Sequence, residues 1–207
     1  GFDMSSTTGR EANFDERRDA EIMASLFKTE HYEQVLNSSD LSWAVPKLVW
    51  HLEDLRVGMS YPNFYIAGLA SKFVKVCLSG AGGDELYGGY PWRYYRVSSS
   101  INQEKYFREY YSFWQRLVND DEKSDFFTPE IYKATSAGRN AYDIFRNVFL
   151  YNDTLKYNNQ EDHIKNSLYF EAKTFLSSFF VVGDKLAMAH SLEERFPFMD
   201  NELVSFA

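Results

Sequence analysis

The sequence has little of what disulfide-linked, zinc-binding and membrane-spanning proteins require. Its single cysteine, Cys77, cannot form a disulfide within the chain, and this scarcity predicts a soluble protein of the reducing cytoplasm. The four histidines lie far apart and form no HExxH pattern, which argues against a zinc site. No apolar run approaches the roughly 20 residues of a membrane-spanning helix, so we expect no membrane partner.

Positive charge is also scarce. Lysine and arginine total 22 against 30 aspartates and glutamates, and the formal net charge is −8. A dedicated nucleic-acid binder needs clustered cations to displace counterions, so we expect no nucleic-acid partner. Hydrophobic residues make up 44% and charged residues 25% of the chain, which is ordinary for a globular protein and excludes a disordered one.

Aromatic side chains, by contrast, are abundant, at 18% of the 207 residues. This abundance predicts a helical part that is packed with large rings. After Tyr95 the helical patterns become rich in aromatic residues, and we expect a mainly helical lobe over residues 97–207. Its predicted helices cover residues 106–118, 142–151, 162–180 and 183–194.

The first 96 residues have a different pattern. Residues 74–79 form a nearly continuous apolar strand, which is typical of a parallel sheet that helices cover on both faces. We therefore expect an α/β portion over residues 1–96. Its other predicted elements are a strand over 30–36 and helices over 15–27, 40–52 (capped by Asp40) and 61–73.

The chain begins at Gly1 without an initiator methionine and runs at once into a polar segment over residues 3–13. These residues resemble the tail of a strand whose body lies upstream. We therefore expect the sequence to be a piece of a longer protein, with an α/β portion that is incomplete at its N-terminus.

The segment with the strongest functional signal is SGAGGDELYGGY, which follows the apolar strand at residues 79–90. Open α/β sheets bind ligands at the carboxyl ends of their strands. The clustered glycines let a ligand approach the backbone and offer N–H groups to anionic oxygens, and Mg²⁺ commonly bridges a carboxylate such as Asp84 to substrate phosphates. One interpretation is thus a metal–nucleotide site. The other is a glycine-rich turn in which Asp84 and Glu85 cap the next helix.

A second segment, GDKLAMAHSLEERF at residues 183–196, carries a lysine on an apolar stripe. In a helix, Lys185 falls between Met188 and Leu192, near the predicted N-terminal end, where the helix dipole disfavours a cation. Its ammonium should therefore either extend to solvent or meet an anion. A ligand such as pyrophosphate favours the second outcome, because the lysine could neutralise charge as a phosphate leaves.

Together, these two segments resemble the synthetase domain of glutamine-hydrolysing asparagine synthetases. The matching patterns are SGxGGDELxGGY at residues 79–90 and DKxxMxxSxExRxPFxD at residues 184–200, and the likeness extends over most of the chain. The resemblance implies an α/β fold with a partial parallel sheet of the ATP-pyrophosphatase (adenine nucleotide α-hydrolase-like) type and a mainly helical C-terminal lobe.

The same resemblance implies a ligase that uses ATP and Mg²⁺. Such an enzyme adenylates the side-chain carboxylate of aspartate, releases pyrophosphate and transfers ammonia from a glutaminase domain to give asparagine. Lys185 would hold pyrophosphate and the charge that develops on it. The site residues that carry over are Ser79, Gly80, Gly82 and Gly83 for the nucleotide, Asp84 for magnesium, and Glu85 and Lys185 for catalysis.

The sequence departs from the family pattern in three ways. The ATP-phosphate loop SGGxDS of the family should precede Gly1 and is missing from the sequence, so we expect the chain alone to bind Mg-ATP poorly and to be inactive. The glutaminase cysteine is also absent, and Cys77 cannot replace it, because burial in a strand raises the pKa of a thiol.

The third departure is Ala81, which stands where asparagine synthetases often carry a glutamate that helps to deprotonate the ammonia complex. Either Glu85 or another carboxylate takes that proton, or the protein amidates or cyclises a different carboxylate. The sequence also leaves open that the chain is a non-catalytic fragment. It leaves open separately that the protein forms a homo-oligomer.

Overall fold

The computed structural model describes residues 1, 15–53, 60–97, 99, 102–115, 118–136 and 140–206, so the polar segment 3–13 lies outside the described residues. The chain divides into two compact units, Gly1–Ser79 with Phe179–Pro197 and Gly80–Ser178 with Phe198–Ala207. No boundary of these units coincides with residue 96. The division into domains 1–96 and 97–207 therefore stays a prediction.

The first unit is a mostly helical α/β structure. Among its described residues, two strands pair in parallel, with Val76 opposite Glu193 and Leu78 opposite Arg195. The elements of this unit are α1 (Arg17–Phe27), α2 (Ser38–Leu52), α3 (Ser60–Ala70), β1 (Val76–Leu78), most of α11 (Ser177–Met188) and β2 (Glu193–Arg195).

Helix α2 supplies one side of the core of the first unit. Its buried residues Ala44, Leu48 and Leu52 are spaced four apart, as one face of a helix requires, and they cluster with Phe64 of α3 and Leu186 of α11. The helix continues through Pro46 without a break in its assignment.

The N-terminus of α2 differs from the prediction. The helix begins at Ser38, and its cap is Asn37 rather than Asp40. The Asn37 side chain accepts from the Ser39 N–H at 2.9 Å, and the Asp40 carboxylate accepts from the Asn37 N–H at 2.7 Å. Asp40 therefore completes a reciprocal capping box from the third helical position.

Two predicted elements of the first unit are wrong. Residues 30–36 form no strand but a single bridge at Leu36, whose N–H donates to the carbonyl of Gly1 at 2.9 Å. The predicted helix over 183–194 ends at Met188, because Ser191 has a left-handed φ of 55° and residues 193–195 are extended in β2.

The sheet is also less covered than its apolar sequence predicted. Val76 is 42% exposed and Leu78 is 74% exposed in the described part of the chain, whereas the parallel-sheet interpretation placed both in a covered strand. Cys77, between them, is half-buried.

The second unit is helical and is built around aromatic rings. Its cluster of buried residues includes Tyr106, Phe107, Tyr110 and Phe149, each at most 1% exposed, which confirms the predicted ring-packed helical part. Its elements are α4 (Gly83–Tyr87), α5 (Pro91–Tyr94), α6 (Gln103–Trp114), α7 (Lys123–Phe126), α8 (Pro129–Ser136), α9 (Ala141–Leu150), α10 (Gln160–Glu171), a π-helical segment (Ala172–Leu176), a 3₁₀ turn (Pro197–Met199) and α12 (Asn201–Phe206).

Helix α10, the π-helical segment and α11 follow one another without a gap from Gln160 to Met188. The break that was predicted before Gly183 is therefore absent, and Gly183 lies inside a helix. None of the helices in the described ranges is both long enough and apolar enough to cross a membrane.

Candidate active site

The glycine-rich segment begins where β1 ends. The N–H of Ser79 donates to the carbonyl of Arg195 at 2.8 Å, which extends the β1–β2 ladder by one hydrogen bond. Gly80 is exposed, and a Cβ built on it would meet no atom within 4 Å. The two residues that were predicted to line an AMP site thus follow a parallel strand, with space beside Gly80.

Gly82 and Gly88, with φ 73°, are the two glycines of this segment whose left-handed conformation favours glycine; Gly82 lies closest to the strand. Its φ is 97°, and a Cβ on it would lie 3.1 Å from the Sδ of Met199. Its N–H donates to Oε2 of Glu85 at 3.0 Å, and the N–H of Gly83 donates to the carbonyl of Gly80 at 3.2 Å. These two N–H groups therefore serve the loop itself, and nucleotide binding by Gly82 and Gly83 stays a prediction.

Glu85 is buried, with 3% of its surface exposed. Besides the Gly82 N–H, it accepts a hydrogen bond from the hydroxyl of Tyr90, which lies 2.9 Å from Oε1. The pKa of Tyr90 is raised well above its usual value, chiefly by burial and secondly by the hydrogen bond to this carboxylate. Glu85 therefore caps α4, in agreement with the second interpretation of the motif, while its role in proton transfer stays a prediction.

Asp84 lies in the first turn of α4 and is exposed to solvent. A Cβ on Gly89 would collide with the Asp84 carboxylate, which explains the glycine at that position. In the described ranges, no three His, Cys, Asp or Glu side chains come together as a metal site. A single exposed carboxylate nevertheless fits an Mg²⁺ ion whose other ligands are phosphates and water.

A buried ion pair of the second unit contacts Tyr90, the last residue of the glycine-rich segment. The guanidinium of Arg93 stacks 3.8 Å from the ring centre of Tyr90, and its Nη1 donates to Oε2 of Glu171 at 2.9 Å. Glu171 is fully buried and also accepts from the hydroxyl of Tyr110 at 2.9 Å. Burial raises the pKa of Glu171, although Arg93 and Tyr110 both oppose the shift. Sequence reasoning missed this pair, for which the only signal was two charges within aromatic-rich stretches.

Lys185 lies in the last turn of α11, at the opposite end of the helix from the one predicted. Its Nζ donates to the carbonyl of Leu52 at 2.9 Å and to Oε2 of Glu53 at 2.9 Å. Of the two outcomes that the sequence left open, the lysine therefore meets an anion, and that anion is a side chain of the protein. The hydrogen bond and the charge of Lys185 lower the pKa of Glu53.

Glu53 follows the last residue of α2 in a left-handed conformation, with φ 55° and ψ 30°. Its side chain is 78% exposed, whereas that of Lys185 is 33% exposed. Sequence reasoning did not find Glu53, because only its position at a helix end distinguished it.

Three further observations concern residues near these sites. Arg195 pairs with an acid, its Nε lying 2.9 Å from Oε1 of Glu193. The pKa of Cys77 is raised, chiefly by burial, as predicted for a thiol that is not a nucleophile. Asp84 and Lys185 belong to different compact units, and their roles toward magnesium and pyrophosphate stay predictions.

The amino-acid sequence of this chain matches one family model and several known proteins. A family model described as asparagine synthase matches residues 2–207. A candidate glutamine-hydrolysing asparagine synthetase 2 of Methanocaldococcus jannaschii is 35% identical over 40% of the chain, and a candidate glutamine-hydrolysing asparagine synthetase of Mycobacterium tuberculosis is 38% identical over 41%. The glutamine-hydrolysing asparagine synthetase 1 of Bacillus subtilis is 38% identical over 34% of the chain.

The matched segments cover 16%, 13% and 11% of these three proteins, respectively, so the chain aligns with only a small part of each. No solved structure matches the chain.

Proposed function

This chain belongs to the asparagine synthase family, and from that membership we propose that it is the synthetase part of an ATP-dependent amidotransferase, a carbon–nitrogen ligase. The observation that carries the proposal is the extent of the family match, residues 2–207, which includes both motif segments. The family implies the use of ATP. We further propose that the short parallel sheet is part of an ATP-pyrophosphatase fold.

The proposed reaction has two steps. A side-chain carboxylate oxygen of aspartate attacks the α-phosphorus of ATP, and the bond from that phosphorus to the bridging oxygen breaks as pyrophosphate leaves. The nitrogen of ammonia then attacks the activated acyl carbon, the bond from that carbon to AMP breaks, and a nearby carboxylate accepts the proton. The products are asparagine, AMP and pyrophosphate.

The described residues support distinct roles in these steps. Ser79 and Gly80 would contact the AMP part of ATP, since they follow β1 and Gly80 is exposed. Gly82 and Gly83 would let the nucleotide approach the backbone closely. Lys185 would contact pyrophosphate, and its ammonium would stabilise the charge that develops there.

Asp84 would supply one carboxylate ligand to Mg²⁺, which would neutralise phosphate charge when it is bound. Glu85 is the proposed proton acceptor. Each of its oxygens already accepts one hydrogen bond, from Gly82 or Tyr90, and a carboxylate oxygen can accept a second.

The test of the proposal is aspartate-dependent release of pyrophosphate from ATP by the natural full-length protein. Asp84→Asn should lower this rate by about 10²-fold, the effect typical of removing one charge-stabilising group from a transition state. Asp121→Asn makes the same charge change at an exposed position of the same unit and should leave the rate unchanged. Normal turnover by the Asp84 variant would remove Asp84 from the metal site.

The source of nitrogen and the partner domain are also proposals. The relatives named above are described as glutamine-hydrolysing, and we propose that a glutaminase domain of the full-length protein supplies ammonia to this chain. Glutamine and ammonium salts should then both support asparagine formation. Support by ammonium alone would argue against a glutaminase partner.

Ala81 favours a second candidate function, in which the protein amidates or cyclises a carboxylate other than that of aspartate. Release of pyrophosphate with other carboxylates, but without stimulation by aspartate, would support this alternative. Failure of the full-length protein to bind Mg-ATP in calorimetric titration would instead support a non-catalytic domain.

A further inference from the structure

We propose that Glu53 is a positioning residue for Lys185, an inference that rests on the proposed contact between Lys185 and pyrophosphate. A lysine ammonium has three N–H donors on a long flexible stem. Two of these donors are directed to fixed oxygens, the Leu52 carbonyl and the Glu53 carboxylate, each at 2.9 Å. The third is left for an oxygen of the diphosphate.

The backbone at the end of α2 creates this pair of acceptors. The last carbonyl groups of a helix carry partial negative charge and attract cations. Because Glu53 adopts a left-handed conformation directly after Leu52, the backbone carbonyl of one residue and the side chain of the next reach the same ammonium. The lysine is therefore held by a dipole and a charge that act together.

The residues beside this pair are buried in the core of the first unit. Leu52 is 3% exposed, and Leu186, which follows Lys185, is fully buried in the same cluster with Leu48. The backbones that carry Glu53 and Lys185 thus adjoin buried residues, although the charged side chains themselves reach solvent. Holding the ammonium in place before a ligand arrives reduces the entropy that is lost when the ligand binds.

The effect of Glu53 should fall on turnover rather than on ATP binding. Lys185 would act on charge that grows as pyrophosphate leaves, so a misplaced ammonium weakens an interaction that is strongest in the transition state. The Glu53 carboxylate also offsets the charge of Lys185, so its removal should not weaken the initial attraction between the cation and ATP.

The test is a double-mutant cycle in the natural full-length protein, measured as ATP-dependent pyrophosphate release. Glu53→Ala should lower kcat by about ten-fold, the effect of one lost charge-assisted hydrogen bond, and should leave the KM for ATP within about two-fold of its original value. The Glu53→Ala/Lys185→Ala double variant should be no slower than Lys185→Ala alone, because a residue that acts through Lys185 has no effect without it.

Glu161→Ala is the matched control. It removes a glutamate from another exposed ion pair, in which Glu161 lies 2.7 Å from Lys165, and it should leave kcat unchanged. Glu53→Gln keeps an acceptor oxygen and should retain more turnover than Glu53→Ala. Circular dichroism and the thermal midpoint should show that each variant is folded.

The outcomes separate the two proposals. Normal turnover by Lys185→Ala would overturn the role of Lys185 and the inference that depends on it. If Lys185→Ala is slow, the role of Lys185 stands, and three results would overturn the positioning role alone. These are a Glu53→Ala variant as fast as the original protein, losses that multiply in the double variant, and a Glu53→Gln variant no faster than Glu53→Ala.

Discussion

The two compact units each contain a glutamate that pairs with a cation at 2.9 Å, yet the pKa values of these glutamates shift in opposite directions. In the helical unit, burial raises the pKa of Glu171 in spite of Arg93. In the α/β unit, the hydrogen bond from Lys185 lowers the pKa of the exposed Glu53. The distance between two charges therefore does not decide what the pair contributes, whereas the loss of water around it does.

This difference suits the two pairs to different tasks. Glu171 contacts Arg93 and Tyr110 and is fully buried, so removal of Arg93 would leave a charge buried without its partner. Glu53 and Lys185 keep contact with solvent, and their ammonium can still meet a ligand. We expect the first pair to control stability and the second to control turnover.

The largest effect on stability is expected from Arg93→Ala. This change leaves the Glu171 carboxylate buried without its cation and should lower the free energy of unfolding by about 3–5 kcal/mol. The loss should be larger at pH 7.5 than at pH 5, because lowering the pH favours the protonated form of Glu171, which needs no cation. Urea unfolding at both pH values measures the effect.

Arg108→Ala is the control for this prediction. Arg108 pairs with Glu104 on an exposed helix face at 2.9 Å, and a pair of this kind is typically worth about 0.3–0.5 kcal/mol. Equal losses in the two variants would contradict the importance that we give to burial.

A smaller effect is expected on the pH dependence of stability in Glu171→Gln. Because the pKa of Glu171 is raised in the folded state, the folded protein still holds this proton at pH values where the unfolded chain has released it. This contribution to stability is present below the unfolded pKa, near 4.3, and is lost as the pH rises through the folded pKa. Glu171→Gln should therefore flatten the decline of stability with rising pH.

Urea unfolding between pH 4 and 8 checks this expectation, with Glu161→Gln as an exposed control. An unchanged decline in Glu171→Gln would show that burial does not hold a proton on this side chain.

The smallest effect on stability is expected from Glu53→Gln. The pH dependence that Glu53 contributes has the opposite sign to that of Glu171. The pKa of Glu53 is lowered in the folded state, so its contribution is present above the unfolded pKa and is lost as the pH falls through the folded pKa. Because the side chain is exposed and screened by solvent, the thermal midpoint at neutral pH should shift less than in Arg93→Ala. A loss comparable with that of Arg93→Ala would make Glu53 a structural residue.

The sequence predicted what depends on neighbouring residues. The aromatic helices of the second unit and α1 could be identified from the spacing of apolar side chains, and the strand before the glycine segment from a nearly continuous apolar run. The prediction of a strand over 30–36 was wrong. A strand exists only where a partner strand pairs with it, and the spacing of apolar residues does not reveal the partner.

The contacts that define the candidate site could not be predicted in this way. Lys185 and Glu53 are 132 residues apart, and Arg93 and Glu171 are 78 residues apart. Their pairing follows from how helices pack, which the local pattern does not contain. The sequence singled out Lys185, since a cation on an apolar stripe is unusual, but the end of the helix on which it lies was predicted wrongly.

The left-handed conformation of Glu53 sets fold stability against activity at a single position. Glycine or asparagine adopts this conformation at a helix end with less strain than glutamate, so selection for stability alone would favour either of them. If turnover depends on the carboxylate, natural variation at residue 53 should be narrow, and a search for more heat-resistant variants should repeatedly find glycine here, in proteins that fold well and react slowly.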